Sequence, residues 1–152
     1  MHTCAITATT KKALCWGSGT SIGKGNMAAD SLVPVDVSGR HQFTQIGVSM
    51  IATCGILENN GTAVCWGLGA GSLAKSLVPV AVAGGQQFTR ISVGGFHACG
   101  ITRSKDAACW GLGILGQLGT GSTEDSLFPA AVAGGRKFVA VTAGYTHSCG
   151  LA

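Results

Sequence analysis

The sequence has few charged side chains, few aromatic ones and no long apolar run. Charged residues make up 11% of the 152 residues, and aromatic residues make up 6%. The longest apolar runs fall far short of the roughly eighteen residues that a membrane-spanning helix needs. No window keeps apolar residues at the spacing of an amphipathic helix, and glycine, with 25 residues, is unfavourable inside helices. These absences exclude a membrane span and argue against helical repeats.

Four sets of markers recur along the chain in the same order, at separations of 44 to 50 residues. They are a cysteine at Cys4, Cys54, Cys99 and Cys149, a Cys-Trp-Gly triplet starting at Cys15, Cys65 and Cys109, a proline at Pro34, Pro79 and Pro129, and a phenylalanine at Phe43, Phe88 and Phe138. Such a period is typical of propeller blades or helical solenoids. Because the composition disfavours helices, the repeats predict an all-β fold, a β-propeller.

Each repeat is predicted to form a blade of four antiparallel strands, called A to D in chain order. Short apolar runs bounded by Gly, Pro, Asn and Ser predict thirteen strands. Blade one, residues 1–42, lacks strand A, whereas blades two (43–87) and three (88–137) are complete. Residues 138–152 supply strands A and B of a further blade. The chain is therefore expected to be a single segment of about three repeats, forming an incomplete ring or arc.

The chain starts and stops inside a repeat. Met1 leads directly into strand B, and no charged start and apolar stretch of a signal peptide precede it. We expect either a fragment of a larger propeller or a protomer that self-associates to complete the ring. The terminal strand B of one copy would duplicate a strand of the next, which counts against a shared ring.

The consensus of the repeats resembles a known family. The string H-x-C-x-I-T, followed by C-W-G-x-G, G-Q-L-G-T-G and S-x-x-P-x-x-V-x-G-G-x-x-F, is similar to the repeat of the regulator of chromosome condensation family. The similarity is to its cysteine-rich form, which implies a bacterial surface or secreted protein. Blade two departs from the pattern, because Ala52 replaces the histidine and residues 68–76 lack the string found at 116–121.

The cysteines form a regular pattern within the repeats. In each complete hairpin, the cysteines of strands B and C are 10 or 11 residues apart, as cross-strand neighbours would be. The predicted disulfides are Cys4–Cys15, Cys54–Cys65 and Cys99–Cys109, with Cys149 unpaired. Disulfides would indicate an extracellular or cell-surface protein, whereas buried free thiols would suit a cytosolic one.

Basic residues concentrate on the face where the B–C and D–A loops of a propeller emerge. This face has seven cations against Glu58 and Asp106, whereas the opposite face has two cations and three carboxylates. The seven are Lys11, Lys12, Arg40, Arg103, Lys105, Arg136 and Lys137. They form a candidate binding rim, which could attract an anionic partner. The alternative is that charged loop tips only keep an apolar propeller soluble.

No motif predicts catalysis, a cofactor or a metal site. Residues 111–116 spell the dinucleotide fingerprint G-x-G-x-x-G, but no helix follows and Arg136 stands near the position of the required acid. The His-x-Cys pairs recur once per blade, whereas a tetrahedral metal site needs four converging ligands. These histidines are interpreted as core residues bonded to the backbone, and the repeated tryptophans as packing between blades.

Three functions are consistent with these features. The first is a non-catalytic module that binds a protein or a glycan outside the cell, which the cysteine pattern favours. The second is guanine-nucleotide exchange or chromatin binding, as the family resemblance implies, although the chain lacks the loop wedge and basic tail of that role. The third is a purely structural array of blades in a surface protein. Nucleic acid is not an expected partner.

Overall fold

Each repeat folds as a small antiparallel sheet. A computed structural model describes residues 1–26, 30–69 and 75–152, which contain thirteen strands and no helix. Blade one comprises β1 (His2–Ile6), β2 (Ala13–Gly17) and β3 (Ser31–Asp36). Blade two comprises β4 (Phe43–Val48), β5 (Ala52–Leu57), β6 (Ala63–Gly67) and β7 (Ser76–Ala81). Blade three comprises β8 (Phe88–Val93), β9 (His97–Thr102), β10 (Ala107–Gly111) and β11 (Ser126–Ala131), and β12 (Ala140–Ala143) and β13 (Ser148–Leu151) follow.

The strands of each sheet pair in chain order, so every blade is a simple up-and-down meander. The predicted all-β fold of antiparallel four-stranded blades is confirmed. Pro34, Pro79 and Pro129 lie in the D strands at a sheet edge, where a missing N–H costs no ladder bond. In the last two strands the pairing begins late, since β12 starts at Ala140 and β13 at Ser148, although the sequence predicts that this blade begins at residue 138. The predicted C–D connections fall partly on residues 27–29 and 70–74, outside the described residues.

The cysteine and the glycine of the Cys-Trp-Gly triplet each have a distinct position in the sheet. In β6, Cys65 faces Cys54 of β5, and the register with β7 shifts between Cys65 and Gly67. Gly67 has φ of 95°, and a Cβ there would lie 2.8 Å from the Ala52 Cα of the neighbouring strand. Only glycine suits this bulge, because the conformation is left-handed and the backbones are close.

The tryptophans fill the space between successive blades. Trp66 is 1% exposed and packs with Ile22 and Val37 of blade one and with Phe43 of its own blade. Its Nε1–H donates to the Ser21 carbonyl at 3.0 Å. Trp110 is buried in the same way among residues of blades two and three, in a cluster that includes Ala52, Val82 and Phe88. The hydrophobic core is therefore a series of layers between sheets.

The predicted cysteine pairs face each other across strands B and C. Their Cα atoms are 4.1 Å apart for Cys4–Cys15 and for Cys54–Cys65, and 4.0 Å apart for Cys99–Cys109, so all three pairs stand at disulfide distance. Cys149 is exposed and has a free thiol. Each pair links the two central strands of its hairpin.

A histidine and a hydroxyl join two pairs of blades. His97 Nε2 lies 2.8 Å from Ser148 Oγ, and the Ser148 hydroxyl donates to the Gln117 carbonyl at 2.8 Å. His2 bonds to Thr53 in the same way, and Thr53 donates to the Ser21 carbonyl at 3.3 Å. Because each hydroxyl donates to a carbonyl, the histidine must donate to the hydroxyl through a protonated Nε2. The predicted link from these histidines to the backbone runs through a hydroxyl of the next blade, and His97 also has a backbone hydrogen bond at His147.

Blades two and three are joined without this polar contact. Ala52 stands at the histidine position and Ala98 at the hydroxyl position, and both belong to one apolar cluster. Both polar partners are replaced together, which leaves no buried donor or acceptor at these two positions. The loss of the histidine at Ala52 in blade two is thus accompanied by the loss of the hydroxyl at Ala98 in blade three.

Burial keeps these histidines neutral. Desolvation, followed by repulsion from His147, lowers the pKa of His97 below its usual value. Desolvation is also the main cause that lowers the pKa of His2 to about 4. The unfolded chain, with ordinary histidines near 6.5, then binds protons more readily than the folded chain. Stability should therefore decrease as pH falls from about 6.5 toward the folded pKa values.

The cysteine pairs can be tested by thiol labelling. We expect denatured, unreduced protein to react at about one cysteine, Cys149, because the other six are paired. Mass spectrometry after alkylation gives the count, and full labelling after reduction is the control. Reaction of all seven cysteines without reductant would show that the pairs are free thiols.

The joint between blade three and the next can be tested with two variants of His97. His97→Ala leaves Ser148 without its donor and should lower the free energy of unfolding by about 1–3 kcal/mol at pH 7. His97→Gln keeps an N–H donor that does not titrate, so it should retain more of this stability and show a weaker loss between pH 6.5 and 4.

Chemical denaturation across that pH range measures both effects. If His97→Gln loses stability with acid as steeply as the parent protein, this histidine does not control the pH dependence.

Candidate binding face

The structure brings each B–C turn against the D–A loop that follows it. The Phe43 N–H donates to the Lys11 carbonyl at 2.8 Å, and the Phe138 N–H donates to the Lys105 carbonyl at 2.8 Å. In blade two the corresponding bond joins Phe88 N–H to the Gly61 carbonyl at 2.7 Å. These bonds hold the two kinds of loop side by side on one face of the blades.

The seven predicted cations are all exposed in these loops, which we call the basic face. They fall into two groups, one on each side of blade two. The first group is Lys11, Lys12 and Arg40, and the second is Arg103, Lys105, Arg136 and Lys137. Between them, the loops of blade two and of the blade two–three connection carry Glu58, Gln86 and Gln87 instead. The positive charge is therefore divided by a neutral to acidic sector.

Three of these cations adopt a backbone conformation that favours glycine. Lys11, Arg40 and Lys105 have φ of 56°, 54° and 66°, and no other non-glycine residue in the described part has a positive φ. Gly61 occupies the position of Lys11 and Lys105 in blade two, with φ of 77°. Gly85 and Gly135 occupy the position of Arg40, with φ of 67° and 61°. The left-handed conformation costs a non-glycine residue roughly 1–2 kcal/mol.

One ion pair reduces the charge of the second group. Lys137 Nζ lies 2.7 Å from Asp106 Oδ1, and both side chains are largely exposed. The hydrogen bond from Lys137, followed by one from Ser104, lowers the pKa of Asp106. Within the described residues, no carboxylate lies within salt-bridge distance of the other six cations of the basic face. An exposed pair of this kind adds little to stability.

A pocket of about 260 Å³ opens beside the second group. Arg90, Arg103 and Lys105 line it, together with Thr89, Ile101, Thr102, Phe138 and Val139. Arg90 lies within β8 and is not one of the seven predicted cations. In the structure Arg90 is exposed and shares the pocket with two residues of the basic face. The register of β8 shifts between Phe88 and Arg90. This shift is visible only in the structure, so the sequence did not indicate that Arg90 lines the pocket.

A second cavity, of about 240 Å³, lies beside β13 and is a packing position of the repeat. Five of its lining residues, Ala107, Cys109, Leu118, Gly119 and Val132, correspond to Ala13, Cys15, Ile22, Gly23 and Val37 of blade one. Those five residues surround Trp66. The residues that line this cavity therefore match those that surround Trp66, so the cavity is a packing position for a tryptophan side chain rather than a ligand site.

Other kinds of site find no support in the described residues. No group of three or more His, Cys, Asp or Glu side chains is placed to hold a metal ion there. Nor does that part of the chain include a helix with the length and apolar character to cross a membrane.

Solved structures share the arrangement of blades. Human WBSCR16 superposes with a TM-score of 0.85 and 24% identity over 99% of this chain and 42% of its own. Prp20p from Saccharomyces cerevisiae gives 0.83 and 16% identity over 99% and 42%. The CRINKLY WD40 ectodomain of the Arabidopsis thaliana receptor kinase ACR4 gives 0.59 and 26% identity over 99% and 41%. This chain thus spans less than half of each of these proteins.

The sequence comparisons identify the repeat. No curated protein sequence matches the chain significantly. Models of the regulator of chromosome condensation (RCC1) repeat match residues 88–117 and 109–151. Residues 88–151 therefore carry repeats of the regulator of chromosome condensation family, and the first part of the chain repeats the same sequence markers.

Proposed function

We propose that this chain is a non-catalytic binding module that holds an anionic protein or glycan on its basic face. The observation that supports this proposal most strongly is that Lys11, Arg40 and Lys105 have left-handed backbone conformations at positions where sister blades have glycine. A strained residue kept at a position that glycine would fill at lower cost indicates selection for its side chain. All three side chains are cations, and all three lie on one face, so the shared property is positive charge.

The cysteine pairs support a setting outside the cell. Disulfides persist in oxidising compartments and are rare in the cytosol. Three pairs at disulfide distance in a chain of 152 residues favour an extracellular or cell-surface module. In such a setting the accessible anionic partners are acidic glycans and acidic protein surfaces.

The alternative functions rest on weaker grounds. The Prp20p structure was described with its binding to Gsp1p and histones, which makes exchange-factor or chromatin binding a second candidate. At 16% identity, however, the similarity to Prp20p supports only a shared fold and not a shared function. A purely structural array would not explain three cations in left-handed positions. Association of copies into a ring stays a prediction, which light scattering can test.

The basic face can be tested by replacing its strained cations with the glycine of the sister blades. We expect Lys11→Gly/Arg40→Gly/Lys105→Gly to bind polyglutamate or heparin on the order of tenfold more weakly at low salt. Relief of the left-handed conformation offsets the added freedom of the unfolded chain, so stability should stay equal or rise by up to about 1 kcal/mol per site. Calorimetric titration and thermal unfolding measure the two effects.

The matched control is the reverse change in blade two. Gly61→Lys should lower stability and strengthen binding, because it adds a cation at the same turn position. If the parent protein binds neither polyanion, or if the triple variant binds both as well as the parent, the basic face is only a solvated surface.

A further inference from the structure

We infer that the pocket lined by Arg90, Arg103 and Lys105 is a specific site for a sulfate group of an acidic glycan. This inference rests on the proposed function and narrows it to one site and one ligand class. Three cationic residues line a cavity of about 260 Å³, and no carboxylate residue lines it. The nearest carboxylate along the chain, that of Asp106, is bonded to Lys137 at 2.7 Å.

The free donors of the pocket are the cations. The Thr89 hydroxyl already donates to the Ile101 carbonyl at 3.1 Å, and the Thr102 hydroxyl lies 3.2 Å from Ser104 Oγ. Among the described residues, the Arg90 side chain has no hydrogen-bond partner. Two arginines and one lysine therefore line the cavity, and no hydrogen bond within the described residues occupies their side-chain N–H donors. Guanidinium groups bind oxyanions in pairs of parallel hydrogen bonds, which suits a tetrahedral ion with several oxygens.

The pocket is not a general feature of the repeat. In blade two, Gln45 stands at the position of Arg90, Glu58 at that of Arg103 and Gly61 at that of Lys105. Gln45 bridges two blades, since its Nε2–H donates to the Ile91 carbonyl at 3.1 Å and its Oε1 accepts from the Ile91 N–H at 3.0 Å. Blade three thus replaces a structural amide, a carboxylate and a glycine with three cations. Function on a common fold is expected at such departures.

The surroundings favour a glycan sulfate over a protein phosphate. Both groups are tetrahedral oxyanions that the same donors would bind. The cysteine pairs indicate an oxidising setting outside the cell, where sulfated glycans are accessible. Clusters of Lys and Arg occur on heparin-binding surfaces as well as on nucleic-acid-binding ones, and the extracellular setting favours the first.

The site can be tested with variants that copy blade two. We expect Arg90→Gln and Lys105→Gly each to weaken binding of a heparin-derived hexasaccharide at least fivefold. Neither should lower the unfolding midpoint, because glutamine and glycine are native to these positions in blade two. The comparison variants Lys11→Gly and Arg40→Gly remove equal charge from the other group of the basic face and should weaken binding only about twofold, through the general field of that face. Isothermal titration calorimetry at one fixed salt concentration gives all five affinities.

The remaining outcomes separate this inference from the proposed function. Equal weakening by all four variants would overturn the pocket and leave binding by the whole basic face. Equal affinity for the de-sulfated hexasaccharide, or tighter binding of a phosphorylated acidic peptide than of the hexasaccharide, would overturn the sulfate assignment. Absence of binding to any of these anions by the parent protein would contradict both proposals.

Discussion

Burial of each sheet against the next blade is the interaction on which this structure depends. A single four-stranded meander has two faces and cannot bury either one alone. Trp66 and Trp110, exposed by 1% and 0%, fill the layers between blades, and replacing such a residue with alanine costs about 3–5 kcal/mol in protein cores. The cysteine pairs link strands B and C within a blade, whereas the tryptophans and the histidine–hydroxyl pairs link one blade to its neighbour.

This packing also fixes where function can reside. In the layers between blades, the histidine and its hydroxyl partner are lost together at Ala52 and Ala98, which avoids a buried hydroxyl without a donor. The loops are held by backbone bonds such as Phe43 N–H to the Lys11 carbonyl, which do not depend on side chains. Side chains at those turns can therefore vary without loss of these bonds. The cations in left-handed conformation are the substitutions that lower stability relative to glycine.

Much of the fold could be predicted from the sequence because each strand is marked by a residue with a strict geometric need. The Cys-Trp-Gly triplet places the bulge, and the proline marks the edge strand. The candidate site could be predicted only in part. Loop positions gave the seven cations of the basic face, but the pocket required the register of β8, which brings Arg90 beside Arg103 and Lys105. The hydroxyl partner of His97 comes from the next repeat, so no local pattern could identify it.

The most direct test of this account is hydrogen exchange along the chain. If stability comes from layers between blades, amides of β5, β6, β9 and β10, which are buried almost throughout, should exchange slowest. The D strands β7 and β11, in which half of the residues are exposed, should exchange orders of magnitude faster, since edge amides open locally. Exchange mass spectrometry on overlapping peptides measures this contrast, and equal protection of β7 and β6 would contradict the radial packing of the blades.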